Sequence, residues 1–485
     1  MSRQIRRVAT LMIVLFGAMF VNLNIIQLVR ADDLAENPAN RRLLIREYEI
    51  ERGPIVAGDR EVAYSQETDD DLKYLRVYAE PHLYSHVTGF YSFILGRSGL
   101  EAAMNDELRG TPTEVLAQNL AALLGGRDQL GNTVQVTIDP RVQQAARDAL
   151  GDRVGAVVAL EPTTGAVLAS YSGPTYDPNL LTGHDASAIL DNWAALQEAP
   201  GNPLLDRVTR ATYPPGSTFK VITAAAALEG GLEPGTALDD LASYAPPQTD
   251  RGIRNFSPGP CTSGSTISLA DALRVSCNTA FAKLGVDLGP EALIATAERF
   301  GWNRTPPYLL PTVRSQIPKE LDPPATAQSA IGQRDVRVTP LQAAMVVAAI
   351  ANEGRVMRPH VVSQVREAVS GRPLAGADTG VWSEGRFDGQ AVSTQTAQQL
   401  REMMIRVVNE GTGRQAAIEG VEVGGKTGTA QVPGESSTVW FIGFAGDRVA
   451  VAVVLPDAGV DATGGGLAAP IARAVMQAAL QAGAA

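Results

Sequence analysis

Ser217-Thr218-Phe219-Lys220 is the stretch that decides how this chain is interpreted. Two further motifs follow it along the chain, Ser276-Cys277-Asn278 and then Lys426-Thr427-Gly428-Thr429. Patterns this short arise readily by chance, but SxxK, SxN and KTG each occur only once in the 485 residues. Their uniqueness and their order predict that the three segments meet in one site.

The first motif offers a nucleophile and a base. Pro214-Pro215-Gly216 cannot continue a helix backwards, so we expect Ser217 in the first turn of a helix that runs through residues 219–228. A spacing of three places Lys220 on the same helix face as Ser217. Lysine, unlike arginine, can lose its proton when it is desolvated. Alone, the pair would be a capping serine and a solvated lysine; the other motifs favour Ser217 as nucleophile and Lys220 as its base.

The second motif follows a helix that Ser268 opens, with Asp271 three residues on as in a capping box. The motif is therefore expected on the loop where that helix ends. Ser276 would pass protons between Lys220 and the reacting amine, and Asn278 would hydrogen-bond the substrate's amide. Taken alone, Ser-x-Asn is an ordinary turn.

The third motif is expected on an edge strand, where glycine lets a substrate backbone approach closely. Lys426 would supply positive charge for a carboxylate, and Thr427 would donate to the same group. The backbone N–H groups of Thr429 and Ser217 would form an oxyanion hole. The predicted substrate-binding residues are Asn278, Lys426, Thr427, Gly428 and Thr429.

The sequence offers few residues for other catalytic chemistries. None of the four histidines lies in a recognisable nucleophile motif, and their spacing and that of the two cysteines fit no metal site, so neither metal nor cofactor is expected. Cys261 and Cys277 could form a disulfide in an oxidising compartment or remain two buried thiols. The net charge of −11 argues against nucleic acid as a partner.

The N-terminus predicts a membrane anchor. Arg3, Arg6 and Arg7 precede a mostly apolar run over residues 8–29, which is long enough to cross a bilayer. The arginines place residues 1–7 in the cytoplasm and the remainder of the chain outside it. A cleaved signal peptide is the alternative, but the run is long and lacks a small-residue cleavage site at its end.

The rest of the chain predicts an α+β fold in two parts. Residues 30–135 mix short apolar stretches with turns, as in a small non-catalytic domain. Residues 136–485 alternate strands and helices, and this larger domain holds all three motifs. Short connections between the strands near 423–429, 439–444 and 449–455 favour an antiparallel sheet flanked by helices.

With these motifs in place, the chain resembles the class B penicillin-binding proteins, the monofunctional peptidoglycan transpeptidases, over nearly its whole length. The resemblance also rests on phrases outside the motifs. These are Arg52-Gly53-Pro54-Ile55, Val87-Thr88-Gly89-Phe90-Tyr91-Ser92, Gly99-Leu100-Glu101, Ala159-Leu160-Glu161-Pro162, Tyr176-Asp177-Pro178-Asn179, Tyr213-Pro214-Pro215-Gly216, Ile331-Gly332-Gln333 and Val338-Thr339-Pro340-Leu341.

The resemblance implies a transpeptidase domain of the penicillin-binding and serine β-lactamase type. It also implies that a stem pentapeptide ending in D-Ala-D-Ala acylates Ser217, that D-alanine leaves, and that β-lactams acylate the same serine. A separate glycan polymerase would be the partner in wall growth, division and cell shape. Two alternatives are a class D-like β-lactamase or penicillin sensor, and a catalytically silent scaffold of the cell wall or division machinery.

Overall fold

The computed structural model describes residues 3–26, 48, 50–70, 72–110, 130–385, 387–430 and 436–483. The chain begins with the helix Arg3–Asn24, which by length and composition could cross a membrane and has no buried residue. The predicted span of residues 8–29 extends past residue 26 into residues outside this description.

A five-stranded antiparallel sheet, the central sheet, organises the larger part of the chain. In spatial order its strands are Val423–Ala430, Thr438–Ala445, Val449–Leu455, Gly155–Leu160 and Val167–Gly173. Every neighbouring pair is antiparallel, which confirms the predicted sheet. Val423–Ala430 lies at one edge of it.

Both faces of the central sheet are buried, and its three inner strands are almost continuously apolar. In Gly155–Leu160 the even-numbered residues pack in the same core as the helix Pro340–Ala351. The odd-numbered residues Val157 and Ala159 share a second core with the helices Pro140–Leu150 and Ala469–Ala482. Successive side chains on a strand point to opposite faces, which explains how one strand serves both cores.

A six-stranded sheet, the N-terminal sheet, joins segments that are distant in sequence. In spatial order its strands are Pro373–Gly376, Val362–Arg366, Thr133–Val136, Ile55–Ala57, Arg60–Glu67 and Tyr74–Tyr78. The predicted division between residues 135 and 136 falls inside one of these strands. Two others come from the region assigned to the larger domain.

The other described helices surround these two sheets. They are Pro81–Thr88, Gly99–Ala103, Asn105–Arg109, Ala186–Glu198, Arg207–Arg210, Lys220–Glu229, Leu269–Val275, Asn278–Leu288, Pro290–Arg299, Pro323–Ser329 and Thr394–Glu410. Short strand pairs join Tyr91–Ser92 to Gly96–Arg97, Ala237–Asp239 to Thr266–Ser268, and Ser243–Tyr244 to Ile253–Arg254. The three motifs lie where the helices from Lys220 to Leu288 meet the edge of the central sheet.

Candidate active site

Ser217 lies in a single 3-10 turn, Gly216–Phe219, that leads directly into the buried helix Lys220–Glu229. The sequence predicted Ser217 in the first turn of a helix through residues 219–228; the turn that holds Ser217 is instead a 3-10 turn that precedes the α-helix. Ser217 is partly exposed, whereas Lys220 is completely buried. The serine hydroxyl therefore faces the outside of the turn, while the lysine side chain extends into the protein.

Two glycines let the KTG strand contact the nucleophile turn. Gly216 has a φ of +53°, and a Cβ atom there would lie 2.9 Å from the carbonyl oxygen of Thr429. A Cβ atom on Gly428 would lie 2.7 Å from the carbonyl oxygen of Pro215. Neither position has space for a larger residue without movement of the backbone. This close approach brings the edge strand Val423–Ala430 beside Ser217.

Ser276 ends the helix Leu269–Val275 in the left-handed conformation, with φ 63° and ψ 41°. Ser268 caps the start of that helix by accepting a hydrogen bond from the N–H of Asp271 at 3.0 Å, as the sequence indicated. Left-handed geometry is uncommon outside glycine and occurs often at functional sites. It turns the SxN motif back towards Lys220.

Lys220 Nζ is held by the SxN motif. It donates to the Ser276 carbonyl oxygen and to Asn278 Oδ1, both at 2.7 Å, and lies 3.3 Å from Ser276 Oγ. Burial lowers the pKa of Lys220 well below its usual range, and the nearby charge of Lys426 lowers it further. Both effects favour the neutral amine, which is the form that can accept a proton.

Lys426 Nζ approaches Ser276 from the other side. It donates to Ser276 Oγ at 2.8 Å and to the Thr427 carbonyl oxygen at 2.9 Å, and its side chain is fully buried. Burial lowers the pKa of Lys426 to about 7. Ser276 Oγ thus lies between two amines, and a hydroxyl can accept from one while donating to the other. The three groups form a path along which a proton can move.

The three motifs border one open cleft of about 1370 Å³. Its lining includes Ser217, Ser276, Asn278, Thr427 and Thr429. The two motif lysines are buried behind this lining, so Lys426 meets the cleft through Ser276 and Thr427 and does not present its own ammonium group.

Among the described residues, Lys220 Nζ makes no hydrogen bond to Ser217 Oγ. Such bonds are often long in a free enzyme and shorten only around a substrate.

The sequence did not single out two polar residues at the cleft. Thr412 Oγ1 lies 2.7 Å from Thr427 Oγ1 and restricts the orientation of that hydroxyl. Asn255 hydrogen-bonds the backbone N–H of Asn278 at 2.9 Å. Both lie in loops, and no local sequence pattern indicates which distant groups such residues contact.

Cys261 and Cys277 form a disulfide, with their Cα atoms 5.9 Å apart. The buried carboxylate of Asp240 accepts hydrogen bonds from the N–H groups of Cys261 and Thr262, at 2.7 and 2.6 Å. The chain from Arg254 to Thr262 is thereby attached to the SxN motif by a covalent bond, and to Asp240 by two hydrogen bonds.

Replacing both cysteines by serine is expected to lower the free energy of unfolding by on the order of 3 kcal/mol, the loop-closure term for a bridge of this span. Urea titration of the two proteins without reductant measures the difference. The matched control is the wild type with a reducing agent, which should unfold like the double variant. Equal midpoints for all three samples would contradict a stabilising bridge.

The chain is similar to known proteins over nearly its whole length. Residues 155–477 match the penicillin-binding protein transpeptidase domain, and residues 52–134 match the penicillin-binding protein A dimerisation domain. The peptidoglycan D,D-transpeptidase PbpA of Mycolicibacterium smegmatis is 43% identical, with all of both chains covered. PbpA of Mycobacterium tuberculosis is 40% identical over 99% of each chain.

Solved structures of penicillin-binding protein A are also similar to this chain. The ceftriaxone acyl-enzyme of penicillin-binding protein A from M. tuberculosis aligns with a TM-score of 0.85, covering 90% of this chain and 100% of that one. The imipenem acyl-enzyme of the same protein has the same TM-score, coverage and 40% identity.

Proposed function

The chain belongs to the family of penicillin-binding-protein transpeptidases, and on that premise we propose that Ser217 is its nucleophile and Lys220 its general base. It is a peptidoglycan D,D-transpeptidase, a serine acyltransferase that β-lactams acylate. The observation that carries the proposal for these two residues is the fully buried Lys220 amine, whose pKa is lowered well below its usual range by burial and by Lys426.

In the acylation step, Ser217 Oγ attacks the carbonyl carbon between the last two D-alanines of a stem peptide. Lys220 accepts the hydroxyl proton as the new C–O bond forms. The C–N bond then breaks, and a proton delivered through Ser276 allows D-alanine to leave as an amine. The products are free D-alanine and an ester on Ser217, so atoms and charge balance.

In the transfer step, an amine on a neighbouring stem attacks that ester. The attacking nitrogen loses a proton, Ser217 Oγ regains one, and the new amide is the cross-link. A β-lactam enters by the same first step, but the leaving nitrogen stays attached to the acyl group. It therefore continues to occupy the position that the acceptor amine needs.

We assign the remaining motif residues by their position. Asn278, Thr427 and Thr429 line the cleft and would hold the donor peptide, and Gly428 lets the strand approach the nucleophile turn. We also predicted that Lys426 attracts the substrate's carboxylate, and this stays a prediction. Because Lys426 is buried, it acts first on the groups beside it: it donates to Ser276 Oγ and lowers the pKa of Lys220.

The lifetime of the penicillin adduct tests this proposal against the two alternatives. Full-length protein in detergent is incubated with penicillin, and its intact mass is followed over hours. We expect one stable adduct. Rapid release of hydrolysed drug would indicate a β-lactamase, and folded protein without an adduct would indicate a silent scaffold.

Lys426→Gln is expected to move the acid limb of the pH–rate profile for acylation to higher pH. The substitution removes the positive charge that helps to lower the pKa of Lys220, so Lys220 should remain protonated to a higher pH. Second-order rates of acylation by penicillin, measured across the pH range, give the midpoint. Lys319→Gln is the control on a residue outside the site, and an unchanged or acid-shifted midpoint for Lys426→Gln would contradict the coupling.

We further propose that the helix Arg3–Asn24 anchors the protein with residues 1–7 in the cytoplasm and the catalytic domain outside. The unburied apolar surface of the helix and the arginines at its start support this. By role, we divide the exported part into a non-catalytic domain over residues 30–135 and a transpeptidase domain over 136–485, although two strands of the second region complete the N-terminal sheet. The first has few residues for a glycosyltransferase, which favours a separate glycan polymerase as partner.

Protease added to the outside of intact spheroplasts is expected to digest the catalytic domain. A tag fused to the N-terminus should stay protected on a short membrane-bound fragment, because the cytoplasmic arginines fix the orientation. Immunoblotting of both ends reads the result, with detergent-lysed cells as the control. Protection of the catalytic domain in intact spheroplasts would exclude the proposed topology.

A further inference from the structure

Asn255, which lies outside the three motifs, occupies the centre of a hydrogen-bond network behind the SxN loop. Its Oδ1 accepts from the backbone N–H groups of Asn278 and Thr279, at 2.9 and 3.0 Å. Its Nδ2 donates to the carbonyl oxygens of Leu241 and Gly259, at 3.1 and 2.9 Å. Thr279 Oγ1 also lies 3.2 Å from Oδ1. Donors surround the oxygen and carbonyl acceptors face the NH₂ group, so the orientation of Asn255 is determined from both sides.

The two N–H groups that Asn255 accepts belong to the first turn of the helix Asn278–Leu288. The first N–H groups of any helix have no partner within it and are usually capped by the residue just before it. Here that residue is Cys277, whose side chain makes no capping bond and is instead part of the disulfide. Asn255 therefore caps from a distant segment the helix that begins with the SxN asparagine.

The same segment determines which end of the Asn278 side chain faces Lys220. Asn278 Nδ2 donates to the carbonyl oxygen of Arg254 at 3.0 Å. A backbone carbonyl can only accept, so the NH₂ end must face Arg254 and Oδ1 must face the other way. Lys220 Nζ then donates to Asn278 Oδ1 at 2.7 Å. Backbone and side chain of Asn278 are thus both fixed by residues 254 and 255.

We propose that Asn255 is a positioning residue for acyl transfer: by holding Asn278, it fixes the Lys220 amine beside Ser276. The inference rests on the proposed roles of Ser217 and Lys220. The loop that carries Asn255 is in turn held by the Cys261–Cys277 disulfide and by the Asp240 carboxylate. The lysine's position therefore depends on a loop that is remote from it in sequence.

Asn255→Ala in the full-length protein tests the proposal. We expect the plateau rate of acylation by penicillin to fall about 10- to 100-fold, the scale of a displacement of about 1 Å in a catalytic group. The matched control is Gln143→Ala, which removes another buried carboxamide with bonds to the backbone of Leu83 and Ser170. The control should lose comparable thermal stability but acylate within about twofold of the wild type, because Gln143 is not part of the cleft lining.

Asn255→Asp separates positioning from simple stability. A carboxylate loses the NH₂ group that donates to Leu241 and Gly259 but keeps the oxygen that accepts from Asn278 and Thr279. If the hold on Asn278 sets the rate, this variant should acylate faster than Asn255→Ala. The carboxylate would place a negative charge beside the Asn278–Lys220 pair. Its effect on the pKa of Lys220 would oppose that of the positive charge of Lys426. It should favour the protonated amine and move the acid limb of the rate profile to higher pH.

The outcomes are distinguishable. If Asn255→Ala matches the wild type, or loses no more rate than Gln143→Ala, Asn255 has only a structural role and the inference is wrong. If Asn255→Ala does not fold, an unshifted pH profile for Asn255→Asp would overturn the inference equally. If wild-type protein forms no adduct at Ser217, the proposed function itself fails, whatever the variants do.

Discussion

Ser217→Ala is expected to abolish covalent labelling by a fluorescent penicillin. The substitution removes the hydroxyl that faces the cleft, whereas the Thr218 hydroxyl of the same motif is buried and donates to the Pro215 carbonyl oxygen. Loss of the nucleophile costs about 10⁶-fold in another serine acyl-enzyme. Ser217 is partly exposed, so the free energy of unfolding should change by no more than about 0.5 kcal/mol. Gel fluorescence and thermal unfolding of the same preparation measure both effects.

Ser257 offers a matched control for this variant. It lines the same cleft and is exposed, but it belongs to none of the three motifs. Ser257→Ala should label at close to the wild-type rate. Persistent labelling of Ser217→Ala would show that another residue forms the adduct. Equal loss in both variants would show that the loss is not specific to Ser217.

Lys220→Met is expected to slow acylation by about 10²- to 10⁴-fold, the range that a general base contributes. Methionine fills a similar buried volume without a charge or a basic nitrogen. Lys220→Arg should be slow as well, because a guanidinium group cannot lose its proton in a protein. Stopped-flow or time-resolved mass spectrometry gives the rates.

The stability of Lys220→Met should depend on pH in a defined direction. The pKa of Lys220 is lowered in the folded protein, so the unfolded chain binds more protons between that pKa and the ordinary value of 10.5. The free energy of unfolding of the wild type should therefore rise with pH in this window relative to Lys220→Met.

Lys283→Met is the control, because Lys283 is paired with Asp287 on the surface of a helix. Its acylation rate should remain that of the wild type. A Lys220→Met protein that acylates as fast as Lys283→Met would contradict the role of Lys220 as base.

The sequence predicted those features that depend on short-range pattern. The strand of the KTG motif lies at the sheet edge, Ser276 ends a helix that Ser268 caps, and the antiparallel central sheet is confirmed. Periodicity, capping residues and turn lengths are local, so one sequence suffices to read them. The roles of the motif residues stay predictions that the variants above test.

Features that depend on long-range contacts could not be predicted. The strands Val362–Arg366 and Pro373–Gly376 join the N-terminal sheet from more than halfway along the chain. The burial of Lys426 and the capping of Asn278 by Asn255 likewise depend on how distant segments pack. The sequence spacing of Cys261 and Cys277 could not decide whether they form a disulfide, because spacing does not determine the distance between their Cα atoms.

The most direct measurement of the central claim is the fate of a donor peptide ending in D-Ala-D-Ala. Full-length protein is incubated with this peptide and a D-amino acid as acceptor amine, and mass spectrometry counts released D-alanine, transferred product and hydrolysed product. We expect D-alanine and transferred product in nearly equal amounts, both dependent on Ser217. Release of D-alanine with hydrolysed product alone, or transfer that persists in Ser217→Ala, would contradict the account.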